Sequence, residues 1–228
     1  MPGWWWSTRR LHARAGRRPG RGFPVHTATP RLIPLRIPLA TLLVCGAAGV
    51  VFAQPHLQAL LIYDRAAIDE GEIWRLITGN LVHFSPSHFL YDVVALFVAG
   101  ALMEIRGYRH FAILCLVSAA MIGATVYVGS PELSVFGGLS GIVMAAFTYA
   151  CLEGLEETGA WRRLCWVALI FLVIKMSIEM ALGSSFESLA EGESPSFVAV
   201  PSTHVAGAVT ALILFASTRL AGFRKTRS

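Results

Sequence analysis

Six stretches of this chain, roughly 37–54, 88–105, 110–129, 139–153, 162–182 and 200–220, are apolar over a length near that of a bilayer-crossing helix. Such a helix needs about 20 mainly apolar residues, and in lipid its backbone polar groups must be satisfied within the helix itself. That leaves few folds open. With 55% of the 228 residues hydrophobic and 14% charged, and a mean hydropathy of +0.60, a soluble domain of this size has no interior that hides so much apolar surface. The expected fold is an all-α membrane protein: one bundle of six transmembrane helices over residues 36–220, between basic tails at 1–35 and 221–228. No room remains for a second folded domain.

The charge distribution orients that bundle. Residues 1–36 carry eight Arg and no acidic residue. Arg106 and Arg109, Arg162 and Arg163, and finally Arg219, Arg224, Lys225 and Arg227 all fall on the N-terminal side of six spans, whereas loop 183–199 carries Glu187, Glu191 and Glu193. Cytoplasmic loops collect Lys and Arg, so both termini are expected in the cytoplasm. The basic tail reads as topology plus attraction to anionic membrane lipids, about 1 kcal/mol per residue, and not as a nucleic-acid arm or an organellar presequence. Tail 1–35 has no apolar periodicity and is expected to be disordered, with Trp4, Trp5 and Trp6 at the interface. Val51-Phe52-Ala53 superficially fits a signal-peptidase site, but cleavage there breaks the parity between spans and charges, so a retained anchor is expected. Segment 56–82 is too polar to span and reads as an amphipathic interfacial stretch carrying Trp74-Arg75, and 183–199 has loop chemistry throughout. Cys45, Cys115, Cys151 and Cys165 lie inside spans without CxxC spacing and read as small apolar filling.

Polar residues at membrane depth are costly and usually functional. His88 and Asp92 fall in the first turns of the second span, with His83 just before it; Ser140 starts the fourth, and His204 lies about one turn into the sixth. Because these three spans begin on the same side, the residues share one depth. Gly137-Gly138-Leu139-Ser140-Gly141 places a serine between glycines at a loop-to-helix junction. Backbone amides at a helix start can stabilise a developing oxyanion. Alone, the string is as well read as a packing device. A histidine with the right pKa makes a serine nucleophilic, and His204, followed by Gly207 one turn later, supplies it. His88 and Asp92 share one helix face. Two His and an Asp can bind zinc, but no HExxH is present and no Cys lies nearby; neither metal nor cofactor is expected. Lys175 and Glu179, four apart, are expected to pair as a structural ion pair. Glu179 lies near the depth of His204 and can orient its ring.

In this order the motifs resemble the rhomboid family: Trp74-Arg75 in the first loop, His83, His88 and position 92 entering the second helix, then Gly100 and Glu104, Gly138-Leu139-Ser140-Gly141, and His204 with Gly207. The resemblance implies that Ser140 attacks a scissile carbonyl while His204 takes its proton. His88 and the Ser140 backbone N–H would then help form the oxyanion hole, and loop 183–199 the cap. Asp92 stands where most rhomboids have Asn. An ionised carboxylate cannot donate to an oxyanion, so either Asp92 is protonated or, the preferred expectation, it holds His88 in a donating tautomer, as a buried Asp orients a triad His. Phe89-Leu90-Tyr91-Asp92 and Gly-Leu-Ser-Gly-Ile look most like the rhombosortase branch, which implies a bacterial inner-membrane enzyme acting on transmembrane proteins with a Gly-rich C-terminal sorting tail. Two other readings are weaker. Pro201-Ser202-Thr203-His204 resembles a membrane phosphatase motif, but the motif order is reversed and no arginine clamps phosphate. A rhomboid-like pseudoprotease, or helix chaperone, usually lacks the serine or the histidine.

Overall fold

The computed structural model describes residues 37–184 and 200–225, with side chains as far as residue 221. The expectations for tail 1–35 and nearly all of loop 183–199 lie outside these residues. Helix α1 (Leu39–Ala53) is followed by the short helices α2 (Pro55–Leu61), α3 (Arg65–Asp69) and α4 (Arg75–Thr78), a 3-10 turn at Gly79–Leu81, then α5 (Pro86–Arg106), α6 (Phe111–Gly129), α7 (Ser140–Leu155), α8 (Gly159–Leu182) and α9 (Pro201–Lys225). A long helix thus occupies each of the six apolar stretches. Four of them, α5, α6, α8 and α9, are long and apolar enough to cross a membrane; α1 and α2 pass together but bend by 111°, and α7 is shorter. By length and composition four of the described helices qualify as spans, or five with the bent pair counted as one. Just before α7 the chain is drawn into an extended segment.

That segment is strand β2 (Val135–Phe136), which pairs antiparallel with β1 (Tyr63–Asp64), Tyr63 opposite Phe136 and Asp64 opposite Val135. The pairing ties the interfacial stretch to the entrance of α7. Arg75 is buried and organises the stretch, donating to the Ala59 and Ile62 carbonyls at 3.0 and 2.9 Å. Its Nε meets Glu72 Oε2 at 2.5 Å. Trp74 beside it is exposed. Asn80, fully buried, donates to the carbonyls of Ile77 and Ala119 at 3.0 and 3.2 Å and so fixes the 3-10 turn on α6.

Helix α5 is framed by strong end signals. Ser85 caps its N-terminus by accepting the His88 N–H at 3.1 Å, Pro86 fills the first turn, and Gly107 closes the C-terminus in the left-handed region. Near its far end Glu104 accepts the Ala40 and Thr41 amides at 3.1 and 2.8 Å and the Thr41 hydroxyl at 2.6 Å. One carboxylate therefore satisfies the orphan N–H groups of α1. Gly100 leaves the room, since a Cβ there would lie 2.4 Å from Thr41 Oγ1.

Helix α7 sits centrally and packs against α9, α8, α5 and α6. Its crossing with α9 is made at backbone contact: a Cβ on Gly207 would meet the Gly141 carbonyl oxygen at 2.0 Å, and one on Gly141 would meet the Thr203 carbonyl at 2.9 Å. This is close small-residue packing of helices in a membrane. The outward faces carry Leu90, Val94, Val98, Leu116, Phe171 and Ile213, an apolar surface suited to lipid. Helix α9 runs on to Lys225, past the hydropathy boundary at 220, because Arg and Lys are good helix formers and backbone propagation does not stop where apolar composition does.

Overpacking a tight site costs about 1–3 kcal/mol, and here the obstacle is backbone. Gly207→Ala is expected to lower the Tm of the detergent-purified protein markedly. Gly46→Ala, whose Cβ meets nothing within 4 Å, is expected to leave it unchanged.

Candidate active site

The polar residues singled out above converge on the start of α7. Gly138 adopts φ +130°, a conformation that favours glycine, and a Cβ there would lie 2.8 Å from the His88 ring. The backbone thus passes directly over that imidazole. The next residue, Leu139, donates its N–H to Asp92 Oδ2 at 2.8 Å. The same oxygen lies 3.1 Å from His83 Nε2 and 3.3 Å from His88 Nε2. His83, His88 and Asp92 are all buried. Asp92 therefore holds the backbone one residue before Ser140 as well as touching both imidazoles, a role beyond the His88 contact expected from spacing.

The donor inventory of His83 is informative. Its Nδ1 faces the Leu81 carbonyl at 3.2 Å and its Nε2 faces the Asp92 carboxyl. A carbonyl only accepts, so Nδ1 carries a proton, and a further proton is held between Nε2 and Asp92 Oδ2. Whichever atom holds that proton, the pair has no net charge, which suits a fully buried position. The three side chains also bring metal-ligating atoms within 4.8 Å of one another. Asp92 Oδ2, which both imidazoles approach, also accepts the Leu139 amide, so the cluster includes a backbone hydrogen bond.

Ser140 begins α7 and is half-buried among buried neighbours. Its hydroxyl makes no hydrogen bond among the described residues, so no direct bond joins it to His204. The two are brought to one crossing by their neighbours, Gly141 following the serine and Thr203 preceding the histidine. His204, also buried, places Nδ1 2.7 Å from Glu179 Oε2 on α8, and the other Glu179 oxygen meets Lys175 Nζ at 2.6 Å. A cavity of about 300 Å³ opens beside this end of the bundle, lined by Glu132, Leu133, Met180, Pro201 and Ser202 among others.

Sequence reasoning placed Ser140, His204, His88, His83 and Asp92 but missed Asn80 and Arg65. Arg65 donates to the carbonyls of Val126, Tyr127 and Ser130 at the end of α6. Neither residue belongs to a spanning stretch, and their partners are backbone carbonyls, which leave no side-chain pattern to find. Glu72 and Arg75 did carry a signal, the i,i+3 spacing.

The Rhomboid domain family matches residues 70–219. This chain belongs to the rhomboid family. Rhomboid protease GlpG from Enterobacter sp. (strain 638) is 28% identical over 172 residues, covering 69% of this chain and 62% of that protein. The chain thus spans less than two thirds of that relative's length. The match covers α5–α8 and α9 as far as residue 219, and with four or more apolar helices of spanning length this rhomboid is a multi-pass membrane protein.

Truncating Asp92 leaves the buried Leu139 amide and His83 without their acceptor, at about 1–3 kcal/mol per orphaned group. Thermal unfolding in detergent is expected to rank wild type above Asp92→Asn and Asp92→Ala lowest, because an amide oxygen can still accept from Leu139.

Proposed function

We propose that this rhomboid is an intramembrane serine endopeptidase in which Ser140 is the nucleophile and His204 the general base. The observation that carries the reading is the α7–α9 crossing. Ser140, at a helix N-terminus, precedes Gly141, and His204, its Nδ1 already bonded, follows Thr203, where the two helices are in backbone contact. With Nδ1–H donated to Glu179, the basic lone pair of His204 is on Nε2. The family match and the likeness to a rhomboid protease support the same chemistry.

The reaction follows from these groups. Ser140 Oγ attacks the scissile carbonyl carbon as its proton passes to His204 Nε2. The resulting oxyanion is met by first-turn amides of α7, which have no partner within the helix, together with the His88 ring lying against Gly138. His204 then gives the proton to the departing amine, and the C–N bond breaks. Water, deprotonated by the same nitrogen, hydrolyses the Ser140 ester and restores the hydroxyl. Asp92 holds the Leu139 amide and neutralises His83. It acts on the geometry of the nucleophile loop and not on the oxyanion.

For substrate, the rhombosortase-like motifs favour transmembrane proteins with a Gly-rich C-terminal tail. Six spans, with both termini in the cytoplasm of a bacterial inner membrane, fit the charge bias. On that topology α7, 16 residues long and so roughly 24 Å, falls short of a core about 30 Å thick. It is surrounded by longer helices, so its N-terminus with Ser140 lies below the outer surface, where a transmembrane substrate can reach it.

The test is co-expression with a reporter carrying a Gly-rich, single-span, basic-ended tail. Wild type is expected to cut it, Ser140→Ala and His204→Ala to leave it intact, and Asp92→Asn to keep substantial cleavage. An uncut Gly-rich tail with a cut generic helix-destabilised span removes the rhombosortase assignment and keeps the protease. If folded, membrane-inserted wild type cuts neither, the pseudoprotease reading takes the lead.

A further inference from the structure

Helix α8 faces the protein with one narrow stripe. Its buried side chains are Cys165, Leu172 and Glu179, recurring every seven residues, while Val167, Ile170, Phe171, Val173 and Ile174 point outward. Two of the three inward positions are ordinary filling. The third is a carboxylate with 1% exposure, inside a helix apolar enough to span a bilayer. A charge at that depth is among the most expensive groups a membrane protein carries, and it is aimed at the histidine proposed as the base.

Both oxygens of this carboxylate are engaged. Oε2 accepts from His204 Nδ1 at 2.7 Å, and Oε1 receives Lys175 Nζ at 2.6 Å from one turn away on the same helix. Lys175 supplies the opposing charge that a buried carboxylate requires. It also occupies one oxygen, so the other is presented to His204 in a fixed direction. A plain helix-to-helix tie needs only some donor on α9. Here the donor is the one ring nitrogen that decides which tautomer the imidazole adopts.

We infer that Glu179 is the third member of a Ser140–His204–Glu179 triad, with Lys175 as its counter-ion, an arrangement that rests on the protease reading above. Glu179 is a positioning residue. It accepts the Nδ1 hydrogen throughout the cycle, keeps Nε2 free to take the serine proton, and faces the positive charge that appears on the ring in the transition state. No proton moves onto the carboxylate, and every bond made or broken lies at Ser140, Nε2 and the substrate.

The test uses the full chain in proteoliposomes with a cleavable transmembrane reporter, measuring kcat, KM and Tm for wild type, Ser140→Ala, Glu179→Gln and Glu179→Asp. Removing the carboxylate behind a catalytic histidine is expected to lower kcat by about 100-fold or more while KM stays within about twofold of wild type, the signature of an interaction used in the transition state. Glu179→Asp keeps the charge and is expected to recover a large part of the lost kcat. A Gln variant with wild-type kcat overturns the triad, as do Gln and Asp variants whose activity falls only in step with Tm and folded fraction, which marks a structural tie. If the Gln variant does not fold, the kcat–pH profile of Glu179→Asp decides: an acid limb displaced from the wild-type position at unchanged Tm supports the triad, and a profile that superposes on wild type overturns it. Failure of the protease reading looks different, because wild type then leaves the reporter uncut or Ser140→Ala cuts it equally well.

Discussion

The backbone contact between α7 and α9 is the constraint on which the rest depends. Helices carrying side chains at their crossing stay 8–10 Å apart. Glycine at 141 and 207 removes that spacer, so the Gly141 carbonyl lies where a Cβ of residue 207 would be. Ser140 is the residue before one of these glycines and His204 lies one turn before the other. The same closeness that packs the bundle therefore puts a hydroxyl and an imidazole at one crossing. Fold and chemistry share a single steric condition.

Around that crossing the protein holds its polar groups in fixed directions, as a medium without water demands. Asp92 takes the Leu139 amide and the His83 proton from below the nucleophile loop; Glu179, with Lys175 behind it, takes His204 Nδ1 from the side. The β1–β2 pairing anchors the interfacial stretch to the segment that leads into Ser140, and the Arg75 hydrogen bonds hold that stretch together from within. Each contact satisfies a group that is costly to leave alone, and the Glu179 contact also orients the histidine used in the proposed reaction. Preorganisation of this kind supplies electrostatic stabilisation without rearrangement at the moment of bond breaking.

Much of this was legible in the sequence because bilayers impose simple rules. Apolar runs located all six long helices, and the shared depth of His88, Asp92, Ser140 and His204 picked out one site before any geometry was known. The β1–β2 pairing was not legible: it joins residues 135–136 to 63–64, two short segments far apart in sequence that hydropathy does not register. Helix periodicity reveals that Asp92 shares a face with its i,i+4 neighbour His88. The bond from Asp92 to the Leu139 amide joins residues 47 apart in sequence and follows only from packing. Lys175 and Glu179 were readable as a pair for the same local reason, whereas the stripe that turns Glu179 inward depends on where α8 docks.

Covalent trapping measures the central claim most directly. Full-length protein in proteoliposomes is treated with a fluorophosphonate, and the adduct is located by peptide mass spectrometry in wild type and in His204→Ala. The account predicts one modified residue, Ser140, in wild type and a labelling rate lower by about two orders of magnitude or more without the base. Modification at another serine, or equal labelling of Ser140 with and without His204, would contradict it.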